Sequence, residues 1–383
     1  MTSSSVSIRL NPFKGCDGPA GEAVPWSPFG RILAERPVFT LDPLLHAGCY
    51  YVQDSSAMYV GHIFRKLLPS LQGRPVRVLD LCAAPGGKTT DLAASLRLSF
   101  GDDFVLVANE VMKQRAGVLL DNVALWGDPA VIVTSVDPAA FASLAGWFDV
   151  IVADVPCSGE GMFRKDPRAV EEWSESVVDL CAARQKRILA DVWPALKQGG
   201  WLVYSTCTYE RAENDDNLLW ASRELGGEIL PPEDEFPDRG VKVTECGNLL
   251  RAGEVPGEGQ WVGAMRRTGA QAEISAKKAA AALAALRPLR NGIPAGETKG
   301  RDFIPNPDKA LSIDFERGSF PEVETDLHTA LRFLHRDALE LPQAAPGYNV
   351  ITYGGHPLGF VKNVGRRCNN LHPQSRRILM DIK

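Results

Sequence analysis

Two cysteines stand out by their surroundings in this chain of 383 residues. Cys157 lies in Asp154-Val155-Pro156-Cys157-Ser158-Gly159, and Cys207 lies in Ser205-Thr206-Cys207-Thr208. Each closes an apolar run of the kind that forms a buried strand, so each falls where a strand gives way to a loop. A single strand-end cysteine is ordinarily a small packed side chain. Two of them on neighbouring strands of a parallel sheet emerge at one rim and can act on one substrate. The chemistry that two thiols serve there is addition to a pyrimidine. C5 of cytosine is a poor nucleophile. A thiolate adding to C6 makes C5 carbanion-like and able to attack a methylsulfonium; the C5 proton then leaves and the thiol is eliminated. One hard step is divided into easier ones. The attacking thiol needs a lowered pKa or a nearby base. Asp154 can bond the N3–amino edge of the base, and Lys88 can place positive charge beside the adduct. On these grounds either thiol can attack.

A second constellation points to a cofactor. The turn Cys82-Ala83-Ala84-Pro85-Gly86-Gly87-Lys88 follows the apolar run 76–81. Glycines at such a turn let backbone approach a ligand closely. Glu110 ends the next run, where a carboxylate can accept both hydroxyls of a ribose. Asp137 ends the third, where an acid can accept an adenine amino group. Together they suit an adenosine-containing cofactor. The same turn sits one residue from a phosphate-binding P-loop, and residues 149–154 mimic the metal-binding strand of such NTPases. Cys82 stands where that pattern needs glycine, and Glu110 and the two cysteine motifs have no part in it. S-adenosylmethionine carries no phosphate and needs no anion nest.

These residues need a parallel sheet to bring them together. Runs at 76–81, 105–110, 130–137, 149–156 and 201–207 read as strands. Helices are predicted from near Lys88, over 112–126, over 173–196 with Gly199-Gly200 as its stop, and from about 213. This alternation is α/β and doubly wound. Runs at 241–245 and 260–267 read as closing antiparallel strands. Residues 269–305 turn Ala- and Lys-rich and then Gly- and Pro-rich, which reads as a linker with one short helix. Residues 306–383 read as a small separate unit, with a helix near 325–336 and strands at 348–355 and 357–364.

Composition narrows the field. Apolar residues make up 45% and charged residues 23%, as in an ordinary soluble globular protein. No apolar run reaches the roughly 18 residues of a membrane span, and the start has no apolar signal core, so a cytoplasmic location is expected. The eight cysteines form no CxxC pair, so free thiols are expected and no metal site, His356 and His372 included. A net charge of −5 gives no global argument for nucleic acid.

The strings at 45–58 (LHAGCYYVQDSSAM), 79–90 (LDLCAAPGGKTT), 154–167 (DVPCSGEGMFRKDP) and 204–217 (YSTCTYERAENDDN) resemble the RNA 5-cytosine methyltransferases of the Nol1/Nop2/Sun family. The likeness covers about residues 40–268. It implies a class I, Rossmann-like methyltransferase domain over 45–268 that binds S-adenosylmethionine. By that resemblance the cofactor loop is Cys82 to Lys88, the ribose acid Glu110, the adenine-side acid Asp137, and the acid facing both cofactor and base Asp154. The nucleophile is Cys207, and Cys157 assists product release. The final unit resembles the PUA-like α+β RNA-binding module of a branch acting on small-subunit rRNA, with tRNA as the alternative substrate and a catalytically silent assembly factor as the alternative role. A monomer is expected. Residues 1–44 are shorter than the segment such enzymes usually carry, which reads as a truncated N-terminal segment.

Two stretches suit RNA. Residues 159–168 join a flexible turn, Phe163 and three basic residues beside Cys157, as a loop holding a flipped cytidine would. From 351 onward Lys362, Arg366, Arg367, Arg376, Arg377 and Lys383 face one acid, Asp381.

Overall fold

Alternation in the first strand already serves two neighbours. In the computed structural model, which describes residues 6–164, 170–171, 173–300 and 302–382, β1 (Val6–Leu10), β2 (Glu22–Ala23), β3 (Gly30–Leu33) and β4 (Tyr50–Val52) form an antiparallel sheet in the order β2-β3-β1-β4. Ile8 points to one core, while Ser7 and Arg9 point the other way and hold Gln53.

α1 (Tyr59–Leu67) leads into the central sheet. There β5 (Val76–Asp80), α2 (Gly87–Phe100), β6 (Phe104–Asn109), α3 (Lys113–Trp126) and β7 (Val131–Thr134) follow in turn. β8 (Phe148–Asp154), α4 (Glu175–Val192), β9 (Leu196–Thr206) and α5 (Asp215–Ala221) complete the alternation. The short β10 (Gly227–Ile229) and β11 (Val241–Val243) precede β12 (Gly247–Arg251) and β13 (Gly259–Arg267). Next come α6 (Ala276–Ala285) and β14 (Arg290–Asn291). The sheet order is β11-β12-β13-β9-β8-β5-β6-β7-β14, with β10 beside β13. β5 to β9 run parallel, and the order reverses between β5 and β8. This is the doubly wound α/β sheet expected, and its ligand crevice lies at that reversal, beyond the strand ends.

Both faces of the sheet are covered, which is why its strands read as apolar runs. On one face Val78, Leu106, Val150 and Val203 pack against Phe64, Leu92, Leu119 and Trp126 of α1, α2 and α3. On the other, Leu79, Val107, Ile151 and Leu202 pack against Ile188, Leu189, Leu218 and Ala279 of α4, α5 and α6.

The structure departs from the sequence reading at several edges. α4 stops at Val192 and β9 begins at Leu196, so Gly199-Gly200 lie inside a strand and not at a helix stop. Pro194, which cannot continue a helix, sits in the short turn between them. The runs 241–245 and 260–267 are antiparallel closing strands as expected, but β12, which the sequence reading did not mark, lies between them. Residues 269–305 hold more than one helix: Arg290 and Asn291 pair with Val133 and Ile132 at the sheet edge, and β15 (Gly296–Lys299) and β16 (Asp302–Pro305) form a hairpin.

The C-terminal unit has β17 (Glu322–Glu324), α7 (Leu327–Leu334), β18 (Gly347–Tyr353), β19 (His356–Asn363) and β20 (Cys368–Asn370), in the sheet order β17-β18-β19-β20. It shares a core with the N-terminal sheet: Ile8, Leu33 and Tyr50 pack in one cluster with Leu331, Phe333, Leu334, Leu358 and Ile378. The basic tail is divided. Arg366 and Arg367 are exposed, whereas Arg376 is buried and pairs with Asp308 at 2.5 Å. Arg376 is therefore a packing residue and not part of an exposed basic patch. Lys383 lies outside the described residues, as do Lys165 to Arg168 of the loop after Cys157.

Candidate active site

Gly86 caps the start of α2 with φ +116°, a conformation that L side chains rarely adopt, and a Cβ there would meet Leu119 at 3.3 Å. The turn before it is held by outside donors. Asn122 Nδ2 donates to the Pro85 carbonyl at 2.7 Å, and an Arg115 Nη2 donates to the Ala84 carbonyl at 2.8 Å. The Ala83 amide donates to the Asn109 carbonyl at 2.8 Å. A cavity of about 190 Å³ opens above, lined by Cys82, Ala83, Ala84, Pro85, Gly87, Lys88 and Asp154 on one side. Tyr51, Val52, Gln53, Asp54 and Ala57 close the other side. Burial pushes the Cys82 thiol well up, so it is a neutral wall of this cavity.

Glu110 and Asp137 lie outside that lining. Glu110 is buried after β6; its Oε1 accepts from the Met112 amide, while its Oε2, 3.3 Å from an Arg115 nitrogen, accepts no hydrogen bond among the described residues. Asp80 is buried too, with Oδ2 accepting from Thr89 and Oδ1 without a partner among the described residues; burial pushes it up to about 7. Buried acceptors left open beside a Gly-turned loop fit a ligand rich in hydroxyl and amino donors. Asp137 was expected to end the third strand. That strand stops at Thr134, and Asp137 instead caps the short helical turn Pro138–Leu144 through the Ala139 amide, with its side chain exposed.

Asp154, at the end of β8, is the hub of the rim. Lys88 Nζ donates to its Oδ2 at 2.7 Å, and Ser205 Oγ and Gln260 Nε2 donate to its Oδ1 at 2.7 and 2.9 Å. Burial works against the Lys88 charge, but Asp154 outweighs it and the ammonium titrates above its ordinary range.

The two thiols meet. Cys157 Sγ and Cys207 Sγ lie 3.2 Å apart, as hydrogen-bonded thiols. Their bond lowers the pKa of Cys207, against burial and the Asp154 charge and with help from Lys88. The same bond, with burial and the nearby Glu213, raises Cys157. Of the two thiols Cys207 is therefore the more readily ionised, an asymmetry that residue types did not supply.

Neighbouring loops hold this pair. The carboxylate of the fully buried Glu213 accepts from the Ser158 amide at 3.1 Å and from Gln185 Nε2 at 2.6 Å. Glu160 Oε2 accepts from Thr208 Oγ and from the Tyr209 amide. Gln260, Glu213, Glu160, Gln53 and Asp54 went unassigned in the sequence. Glu160 lies in the string 154–167, Glu213 in 204–217, and Gln53 and Asp54 in 45–58, but only the folded register shows what they touch.

Comparison with known proteins places these features. The family model for 16S rRNA methyltransferase RsmB/F matches residues 70–223, and that for the methyltransferase RsmF PUA domain matches residues 320–378. A ribosomal RNA small subunit methyltransferase F from Enterobacter sp. (strain 638) is 32% identical over 381 residues, covering 86% of this chain and 77% of that protein. The chain belongs to the 16S rRNA methyltransferase RsmB/F family. A methyltransferase F from Salmonella paratyphi A is 41% identical over 208 residues, covering 53% of this chain and 41% of its own length. Among solved structures, a methyltransferase homolog protein from Pyrococcus horikoshii is 27% identical with TM-score 0.56, covering 69% of this chain and 86% of that one. NSun6 from Pyrococcus horikoshii with SFG shares the fold at 23% identity and TM-score 0.52, covering 61% of this chain and 57% of that one. In this RsmB/F family member the first match spans the cofactor-side turn and both cysteines, and the PUA match falls on β17 to β20 with α7.

Proposed function

We propose that this RsmB/F family member methylates C5 of a cytosine in small-subunit ribosomal RNA, with Cys207 as the nucleophile and Cys157 assisting release. The Cys207–Cys157 pair beside Asp154 carries the reading, because a thiolate, a thiol and a carboxylate at one crevice rim serve addition to a pyrimidine. The substrate is read from the relatives' names, ribosomal RNA small subunit methyltransferase F, and from the PUA match. Residues 45–268 form the catalytic part in this reading, and residues 306–383 the RNA-binding part.

S-adenosylmethionine supplies an electrophilic methyl group when bound. The turn from Cys82 to Lys88 would form its floor, Glu110 would take the ribose hydroxyls, and Asp137 would take the adenine edge. Asp154 then holds the N3–amino edge of the cytosine, with Lys88 bonded to the same carboxylate and placing positive charge beside the adduct. The Cys207 thiolate adds to C6, and the electron pair of the C5–C6 bond shifts to C5. With Cys207 bonded to carbon, the hydrogen bond to Cys207 that most raised the Cys157 pKa is gone. Once C5 has used that electron pair to take the methyl group, Cys157 releases its own proton to solvent and its thiolate takes the proton from C5. The Cys207–C6 bond breaks as the double bond re-forms.

Labelled methyl transfer to 16S rRNA, small subunits and tRNA tests this. Label on the small-subunit RNA as 5-methylcytosine is expected. None should appear with Cys207→Ala, and Cys157→Ala should accumulate a protein–RNA adduct that runs slowly on a denaturing gel. Label on tRNA alone overturns the substrate; full activity of Cys207→Ala overturns the nucleophile.

A further inference from the structure

Cys16, Cys49 and His356 come from three separate parts of the chain, yet their donor atoms lie within 4.8 Å of one another. Cys16 follows β1, Cys49 immediately precedes β4, and His356 opens β19. Cys49 is fully buried; the other two are half-buried. A cavity of about 170 Å³ lined by Phe13, Lys14, Ser312, Arg317 and His356 reaches the histidine from outside.

We infer that Cys16, Cys49 and His356 bind one zinc-class divalent cation, which staples the N-terminal sheet to the C-terminal unit. Two thiols and an imidazole select a borderline-soft cation such as Zn²⁺ over Mg²⁺ or Ca²⁺, which prefer oxygen. Tetrahedral bonds of about 2.3 Å to sulfur and about 2.0 Å to nitrogen set donors roughly 3.5–3.8 Å apart, so small side-chain rotations close the observed cluster around an ion. The fourth position is left to a water from the cavity. Two thiolates balance the dication, and their two protons leave to solvent on binding. Cysteine spacing gave no sign of this site, because no two of its ligands are close in sequence.

The test uses the full chain carrying Cys207→Ser, so that the active-site thiol pair does not compete. Under reducing conditions, elemental analysis after Zn²⁺ loading and dialysis should find one zinc per chain. Co²⁺ should give thiolate-to-cobalt charge-transfer absorption. Cys16→Ser and, separately, His356→Gln should each lower zinc occupancy at least tenfold, and the Zn²⁺-dependent rise in Tm should vanish with it. No zinc on the parent, or full occupancy in both variants, overturns the inference. So does a Cys16–Cys49 disulfide, seen by alkylation mass spectrometry, in protein that takes up no zinc. Should Cys16→Ser fail to fold, the His356→Gln variant and the parent's cobalt spectrum still decide.

Discussion

The amide of Gly161 donates to the carbonyl of Cys207 at 2.7 Å, so the loop that begins at Cys157 is fastened directly to the other thiol's backbone. The approach is close enough that a Cβ on Gly161 would fall 2.7 Å from the Cys207 carbonyl oxygen and 3.2 Å from Cys207 Cβ. The loop and the nucleophile cannot shift independently.

Gly161→Ala should therefore disturb chemistry more than cofactor binding. A displacement of about 1 Å at a reacting group can cost on the order of 100-fold in rate. Steady-state methyl transfer should show kcat lowered at least tenfold and the KM for S-adenosylmethionine within about twofold of the parent. Parent-like kcat would mean that the loop does not position Cys207.

The pH behaviour of Cys207 depends on its neighbour. The hydrogen bond from Cys157 is the largest influence lowering its pKa, so thiolate persists below the ordinary cysteine range and is lost as pH falls through that lowered value. Alkylation of Cys207 by iodoacetamide, followed by mass spectrometry of its peptide, should show a midpoint below that of a free cysteine. In Cys157→Ala that midpoint should move up. An unchanged midpoint would remove Cys157 from the activation of Cys207.

Glu110 can be separated from the chemistry. If its open Oε2 takes a ribose hydroxyl, Glu110→Gln loses a charge-assisted hydrogen bond of about 1.5–3 kcal/mol, or roughly 10- to 100-fold in cofactor affinity. Calorimetry with S-adenosylmethionine reads that loss directly. Unchanged affinity would free Glu110 from the cofactor role.

Much of this site was legible because strands buried on both faces announce themselves, and their ends place Asp154, Cys157 and Cys207 without further information. The open acceptor on Glu110 and the turn at Gly86 follow from the same frame. What remained hidden was set by pairing and not by pattern. Gln260 reaches Asp154 only because β13 lies antiparallel to β9, a register fixed by tertiary contact. Glu213 looks like one more surface acid in a charged stretch until Gln185 and Ser158 enclose it. β12 is five residues long and carries too short a pattern to announce a strand. Asp137 falls beyond the strand end that the pattern suggested, because aspartate is as apt to cap a helical turn as to end a strand.

Ile8, in the first strand, shares its core with Ile378, almost at the other end of the chain. During synthesis the apolar face of that strand meets Leu33 and Tyr50 early, but the rest of its core is missing until the last segment is made. The catalytic sheet, whose strands and helices neighbour one another in sequence, can fold while translation continues; the N-terminal sheet must wait. A nascent chain stalled before residue 320 would then hold the crevice between β5 and β8 while exposing the face of β1 to chaperones.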